Sequence, residues 1–200
     1  MLRIGIYGGT FSPPHKGHIA AAKAFMEQMW LDILYVIPTA TPPHKEMEIE
    51  VCAKDRLEMC RLAFEGLDGV CVSDLEIARG GKSYTVETLR ELSGEDRRLF
   101  FLCGTDMMLT LDRWREPEEI FRLCYPVYIR RDNDRSLDAV IINKIVQYQR
   151  DYGKVVRRIV ADPIEISSSQ IRQMIANGED LSGVVTKKVE NYIRHNHLYV

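Results

Sequence analysis

His15 and His18 stand three residues apart, directly behind the stretch Gly8-Gly9-Thr10-Phe11-Ser12-Pro13-Pro14. An apolar run at 2–7 precedes this stretch and reads as a strand, and a helix-period segment follows at 17–30. Glycines let backbone approach a ligand closely, prolines stiffen the loop, and a helix start presents unpaired N–H groups at the positive end of a dipole. Such a corner grips anions, and two imidazoles facing it suit phosphate chemistry. Glycines at 5, 8, 9 and 17 fit neither G-x-G-x-x-G nor G-x-x-x-x-G-K-[ST]. That spacing disfavours a dehydrogenase and a P-loop enzyme. A second candidate is Ser167-Ser168-Ser169 before Ile171-Arg172, where hydroxyls and backbone N–H groups at a helix start can both cap and bind anions.

These residues need a sheet whose strands end beside helix starts. Short apolar runs at 2–7, 33–37, 70–72, 99–103, 127–129 and 157–160 alternate with helix-period segments at 17–30, 53–64, 137–152, 169–176 and 184–194. Continuous apolarity predicts strands covered on both faces, hence an α/β, Rossmann-like, doubly wound and mainly parallel sheet. The chain reads as a single domain, 1–200, with a small helical C-terminal part at about 162–200. Residues 39–49 are a candidate mobile loop, and 132–135 a solvated one. His195 and His197 form a polar turn after the last helix.

With 27 basic and 29 acidic residues among 200, the formal charge is −2, so no broad basic field exists for nucleic acid. No apolar stretch approaches the roughly 20 residues of a membrane helix, so the expected protein is cytoplasmic with no membrane partner. Five scattered cysteines, Cys52, Cys60, Cys71, Cys103 and Cys124, form no zinc pattern. Cys71 and Cys103 fall in strand-like runs and Cys60 and Cys124 in helix-like ones, where thiols act as small buried hydrophobes.

The sequence His15-Lys16-Gly17-His18 resembles the signature of the H-x-G-H nucleotidyltransferases. Further segments are similar to bacterial nicotinate-nucleotide adenylyltransferases: Ile37-Pro38 with Pro42-Pro43-His44-Lys45, Ser83 to Leu89, Gly104-Thr105-Asp106, Trp114, Ile166 to Arg172, Tyr192-Ile193 and Leu198-Tyr199. The resemblance covers nearly the whole chain in order. Ser12 stands where that family more often has Asp or Asn, Glu87 where it has Asp, Ser169 where it has Thr, and Arg130-Arg131-Asp132 where it has Arg-Pro-Gly.

The resemblance implies attack of a mononucleotide 5′-phosphate on the α-phosphorus of ATP, with Mg²⁺ accompanying ATP and no protein metal cage. It implies catalytic roles for His15, His18, Lys45 and Arg172. Gly8, Gly9, Thr10, Phe11, Asp106, Ser167, Ser168 and Ser169 would join His15, His18 and Arg172 in binding ATP. Lys45, Tyr84, Thr85, Trp114 and Arg115 would bind the acceptor, nicotinate mononucleotide, with Trp114 stacking on the pyridine ring. The alternatives are a related acceptor such as nicotinamide mononucleotide or phosphopantetheine, a cytidylyl donor, and an idle nucleotide sensor. A homo-oligomer is compatible with everything above.

Overall fold

The first strand, β1 (Leu2–Gly9), lies at the centre of a six-stranded, wholly parallel sheet of order β3-β2-β1-β4-β5-β6. Its partners are β2 (Ile33–Pro38), β3 (Val70–Val72), β4 (Arg97–Gly104), β5 (Cys124–Ile129) and β6 (Arg157–Ile159). The computed structural model describes residues 1–41, 51–130, 135–161 and 166–200. Chain order reverses between β1 and β4, and that is where open α/β sheets bind ligands, outside the carboxyl ends of the strands. Gly8 and Gly9 close β1 opposite Ile37 and Pro38 of β2, while Gly104 closes β4 opposite Ile129 of β5.

Successive residues of each strand feed opposite layers. Tyr7, Leu34, Val36, Phe100, Leu102 and Val127 face one core; Ile4, Ile6, Leu99, Phe101 and Cys103 face the other. The first core is covered by α1 (Lys16–Gln28), α2 (Ala53–Phe64), α8 (Ser168–Ala176) and α9 (Lys187–His195). The second is covered by α4 (Thr85–Leu92), α6 (Pro117–Leu123) and α7 (Asp138–Tyr152); short helices α3 (Leu75–Arg79) and α5 (Thr105–Met108) complete the crossovers. Gly5 has a packing role: a Cβ there would lie 2.4 Å from Leu31 Cδ1.

Helix α1 begins at Lys16, one residue ahead of the expected segment, with His15 as its N-cap, and α9 begins at Lys187, because Val184 and Val185 close a turn on Leu181. The strand at 127–129 extends back to Cys124, which therefore opens a strand and is not helical. Cys71 corrects the expectation of burial: β3 is an edge strand and the residue is exposed. No helix among the described residues is long and apolar enough to cross a membrane.

Candidate active site

The β1 exit folds as a tight loop with Phe11 at φ 47° and a cis peptide between Ser12 and Pro13. The positive φ turns the Phe11 ring inward, where it meets His18 edge-on at 4.9 Å and packs against Tyr7 and Phe64. Phe11, expected to border the adenylate, is 3% exposed and so offers its backbone, not its ring, to a ligand. Gly9 is needed beneath it, since a Cβ there would come within 3.0 Å of the ring. Gly8 has open space at its Cβ direction, and Thr10 is half-buried.

His15 and His18 are both buried, with ring centroids 3.7 Å apart. The His15 backbone N–H donates to His18 Nδ1 at 3.1 Å. Because Nδ1 accepts, a neutral His18 carries its proton on Nε2 and is a donor at that atom. One hydrogen bond thus caps α1 and sets the tautomer. Position 18 is the third residue of the helix, where a side chain normally reaches back to a cap.

Helix α8 meets this loop from the other end of the chain. Ser167 caps it, accepting from the Gln170 N–H at 3.2 Å, while Gln170 Oε1 accepts from the Ser167 N–H at 2.8 Å. Ser168 Oγ donates to the Pro13 carbonyl at 2.9 Å. Arg172 Nη1 donates to the Ser12 carbonyl at 2.8 Å and Nη2 to Ser169 Oγ at 3.1 Å. Of the serine hydroxyls expected to cradle phosphate, that of Ser168 fastens α8 to the loop, that of Ser167 caps its own helix and that of Ser169 accepts from Arg172, whose guanidinium is itself anchored on the loop. Tyr199, absent from the residues expected at the site, pairs its hydroxyl with Ser12 Oγ at 3.0 Å. Burial pushes the Tyr199 phenol upward and the Ser12 contact opposes this, so the hydroxyl stays neutral.

Across the switch point, Asp106 lies in the first turn of α5, behind the N-cap Gly104, and is exposed. Its Oδ1 curls to 2.7 Å from where a Gly104 Cβ would stand, a fold-back that only glycine permits without displacement. Thr105 Oγ1 donates to the Ile129 carbonyl at 3.4 Å, tying this turn to β5.

Of the expected acceptor residues, Tyr84, Thr85, Trp114 and Arg115 fall into one neighbourhood. The Arg115 guanidinium lies over the Tyr84 ring, 4.5 Å from its centroid, and Nη1 donates to Glu87 Oε1 at 3.2 Å. Thr85 opens α4, and Trp114 is half-buried beside the second core, edge-on to Phe101 at 6.0 Å. Trp114 follows a 3-10 turn (Leu111–Arg113) in extended conformation, so it is not part of a packed helix. Below them, Thr88 Oγ1 donates to Glu76 at 2.7 Å and accepts from Arg79 Nη2 at 2.9 Å. Burial raises the Glu76 carboxyl above its ordinary range, against the lowering effect of Thr88, Ser83 and Arg79. Ser83 Oγ accepts from the Ala40 N–H at 3.0 Å, joining this side to the β2 exit. Lys45 and the segment 131–134 lie outside the described residues.

Sequence reasoning also missed Arg56. Its signal was a charged residue on the same helical face as Met59, Cys60 and Ala63. Among the described residues, no three His, Cys, Asp or Glu side chains converge as a metal site.

The cytidylyltransferase-like family model matches residues 6–174. A protein of Desulfatibacillum aliphaticivorans named "Probable nicotinate-nucleotide adenylyltransferase" is 37% identical over 216 residues, covering 100% of each chain. One of the same name from Shouchella clausii is 36% identical over 201 residues, covering 100% of this chain and 97% of its own. Among solved structures, Plasmodium falciparum nicotinic acid mononucleotide adenylyltransferase, complexed with NaAD, is similar with a TM-score of 0.78 at 20% identity, over 100% of this chain and 98% of that one. At that identity the likeness is one of fold.

Proposed function

Because the chain belongs to the cytidylyltransferase-like family and, within it, to the nicotinate-nucleotide adenylyltransferases, we propose that it transfers the adenylyl group of ATP to nicotinate mononucleotide, yielding nicotinate adenine dinucleotide and pyrophosphate. The observation that carries this reading is the His15–His18 pair at the start of α1, beside the sheet's switch point, with the His18 proton directed to Nε2 by the bond at Nδ1.

The acceptor's phosphate monoester has a second pKa of about 6, so at neutral pH the nucleophile is already mostly dianionic. No general base is required. The 5′-phosphate attacks the α-phosphorus in line, the bond to the bridging oxygen breaks, and pyrophosphate leaves. The protein's work is to align two repelling anions and to meet the charge that develops. A helix start contributes the equivalent of roughly +0.5 charge, too little for a polyphosphate. His15 and His18 add donors near the α-phosphorus, and Arg172 and Lys45 add positive charge. Gly8, Gly9 and Thr10 offer close backbone approach, and Asp106 accepts from a ribose hydroxyl. Mg²⁺ enters as part of the ATP substrate, held by phosphate and water, as that ion prefers.

Tyr84, Thr85, Trp114 and Arg115 form the acceptor side. A nicotinate carboxylate is acceptor-only and suits the donors there, whereas an amide turns a donor of its own toward them. Pyrophosphate release should be measured with ATP and Mg²⁺, with nicotinate mononucleotide and nicotinamide mononucleotide side by side. Strong release with the acid and little with the amide is expected. Equal release discards the donor-lined pocket, and no release with either sinks the proposed reaction.

A further inference from the structure

Arg56 is among the largest fully buried side chains of the molecule, at 1% exposure. It sits on the inner face of α2 among apolar neighbours, where a hydrophobic side chain of similar volume would ordinarily be the cheaper occupant. Among the described residues its guanidinium makes three hydrogen bonds, every one to a backbone carbonyl: Nη1 to Thr10 at 2.9 Å, Nη2 to Thr39 at 2.7 Å and to Ala40 at 3.1 Å. Among the described residues no carboxylate pairs with it, and Nε has no hydrogen-bond partner. Burial lowers its pKa, partly offset by Cys60, Tyr199 and Cys52.

The three carbonyls belong to two different strand exits. Thr10 follows β1 and lies in the loop that leads to His15; Thr39 and Ala40 follow β2 and lead to the segment that carries Lys45. The same exits are stitched by the Thr39 N–H to the Gly9 carbonyl at 2.9 Å, and the β2 exit is joined to the acceptor side by the Ala40 N–H to Ser83 Oγ. A planar fork with several fixed donors can span such a set, whereas an ammonium, a point charge, cannot hold the same three acceptors in that geometry.

We propose that Arg56 is a positioning residue that clasps the exits of β1 and β2 together and thereby sets the spacing between the ATP side and the acceptor side of the site. It acts through the Thr10, Thr39 and Ala40 carbonyls and touches no substrate. The proposal takes the adenylyltransferase reading as its premise for which substrates are affected, but the clasp itself can be measured without turnover.

The test compares wild type with Arg56→Lys and Arg56→Met, using residue-resolved amide hydrogen exchange of the free protein together with steady-state kinetics. In a folded variant the His15, Thr39 and Ala40 amides should exchange at least about tenfold faster, the equivalent of one hydrogen bond lost, while amides of β4 and α7 keep their wild-type rates. KM for ATP and for nicotinate mononucleotide should both rise, by about tenfold in Arg56→Lys, although that variant keeps the charge. If Arg56→Met does not fold, the lysine variant decides the matter. Unchanged exchange at the two exits, or wild-type KM values with only a lowered melting temperature, would overturn the clasp. A wild type that releases no pyrophosphate removes the proposed reaction, and the exchange data then judge the clasp by themselves.

Discussion

At the scale of the residue, the proposed function gives His18 two roles through two atoms. Nδ1 accepts the His15 N–H and so stabilises the start of α1; Nε2 is the donor the proposed reaction needs. The two roles separate by substitution. His18→Ala loses both, and should cost about 1 kcal/mol of stability, the usual worth of a cap. Its turnover should fall at least about 100-fold, as when one charge-stabilising donor is removed from an active site. His18→Asn keeps a polar group near the place of Nδ1 but has no atom at Nε2, so it should melt closer to wild type while remaining as inactive as the alanine variant. Thermal melts beside pyrophosphate-release assays decide this, and an asparagine variant within severalfold of wild-type turnover would remove His18 from the chemistry.

At the scale of the element, two glycines show how the same added methyl has different consequences. At Gly104, the N-cap of α5, φ is −73°, a value any residue adopts, and a Cβ would meet only the end of the exposed Asp106 side chain at 2.7 Å. At Gly5, in β1, it would meet Leu31 Cδ1 at 2.4 Å and Leu34 Cδ1 at 2.9 Å inside the core. Gly5→Ala should therefore destabilise by about 1–3 kcal/mol, as overpacked cores do. Gly104→Ala should change stability by less than about 0.5 kcal/mol, yet raise KM for ATP severalfold by displacing the carboxylate assigned to the ribose. Denaturant melts and ATP titrations of the two variants check the contrast. An unchanged KM for ATP in Gly104→Ala would show that Asp106 does not contact the nucleotide.

At the scale of the whole molecule, the two cores bury three thiols and leave two outside. Cys60, Cys103 and Cys124 are buried, and desolvation pushes all three thiols upward, Cys124 to about 12. Cys52 and Cys71 are exposed. Since the thiolate is the reactive species, a chromogenic thiol reagent at about pH 8 should titrate two cysteines rapidly in the native protein and all five after denaturation. A third fast thiol without denaturant would mean that one of the cores opens under native conditions.

The sequence by itself determined much of the architecture, because periodicity is a local property. The segments at 53–64 and 70–72 coincide with α2 and β3, and the uninterrupted apolar runs specified a sheet covered on both faces. The H-x-G-H corner was legible for the same reason: strand end, glycines, histidines and helix start are neighbours in the chain. The short helices α3 and α4 were not read from the sequence, whereas the equally short segment at 169–176 was, because three serines before it mark a helix start and length alone gives few turns of period. Only the tertiary structure decided how the corner is held. Ser12 is 187 positions from Tyr199 and 160 from Arg172, and Thr10 is 46 from Arg56. Nothing in a linear pattern specifies which donor reaches a particular carbonyl across the fold. That choice follows from the packing of α2, α8 and the C-terminal turn against one loop, where each buried carbonyl must find a partner and each buried cation must find acceptors.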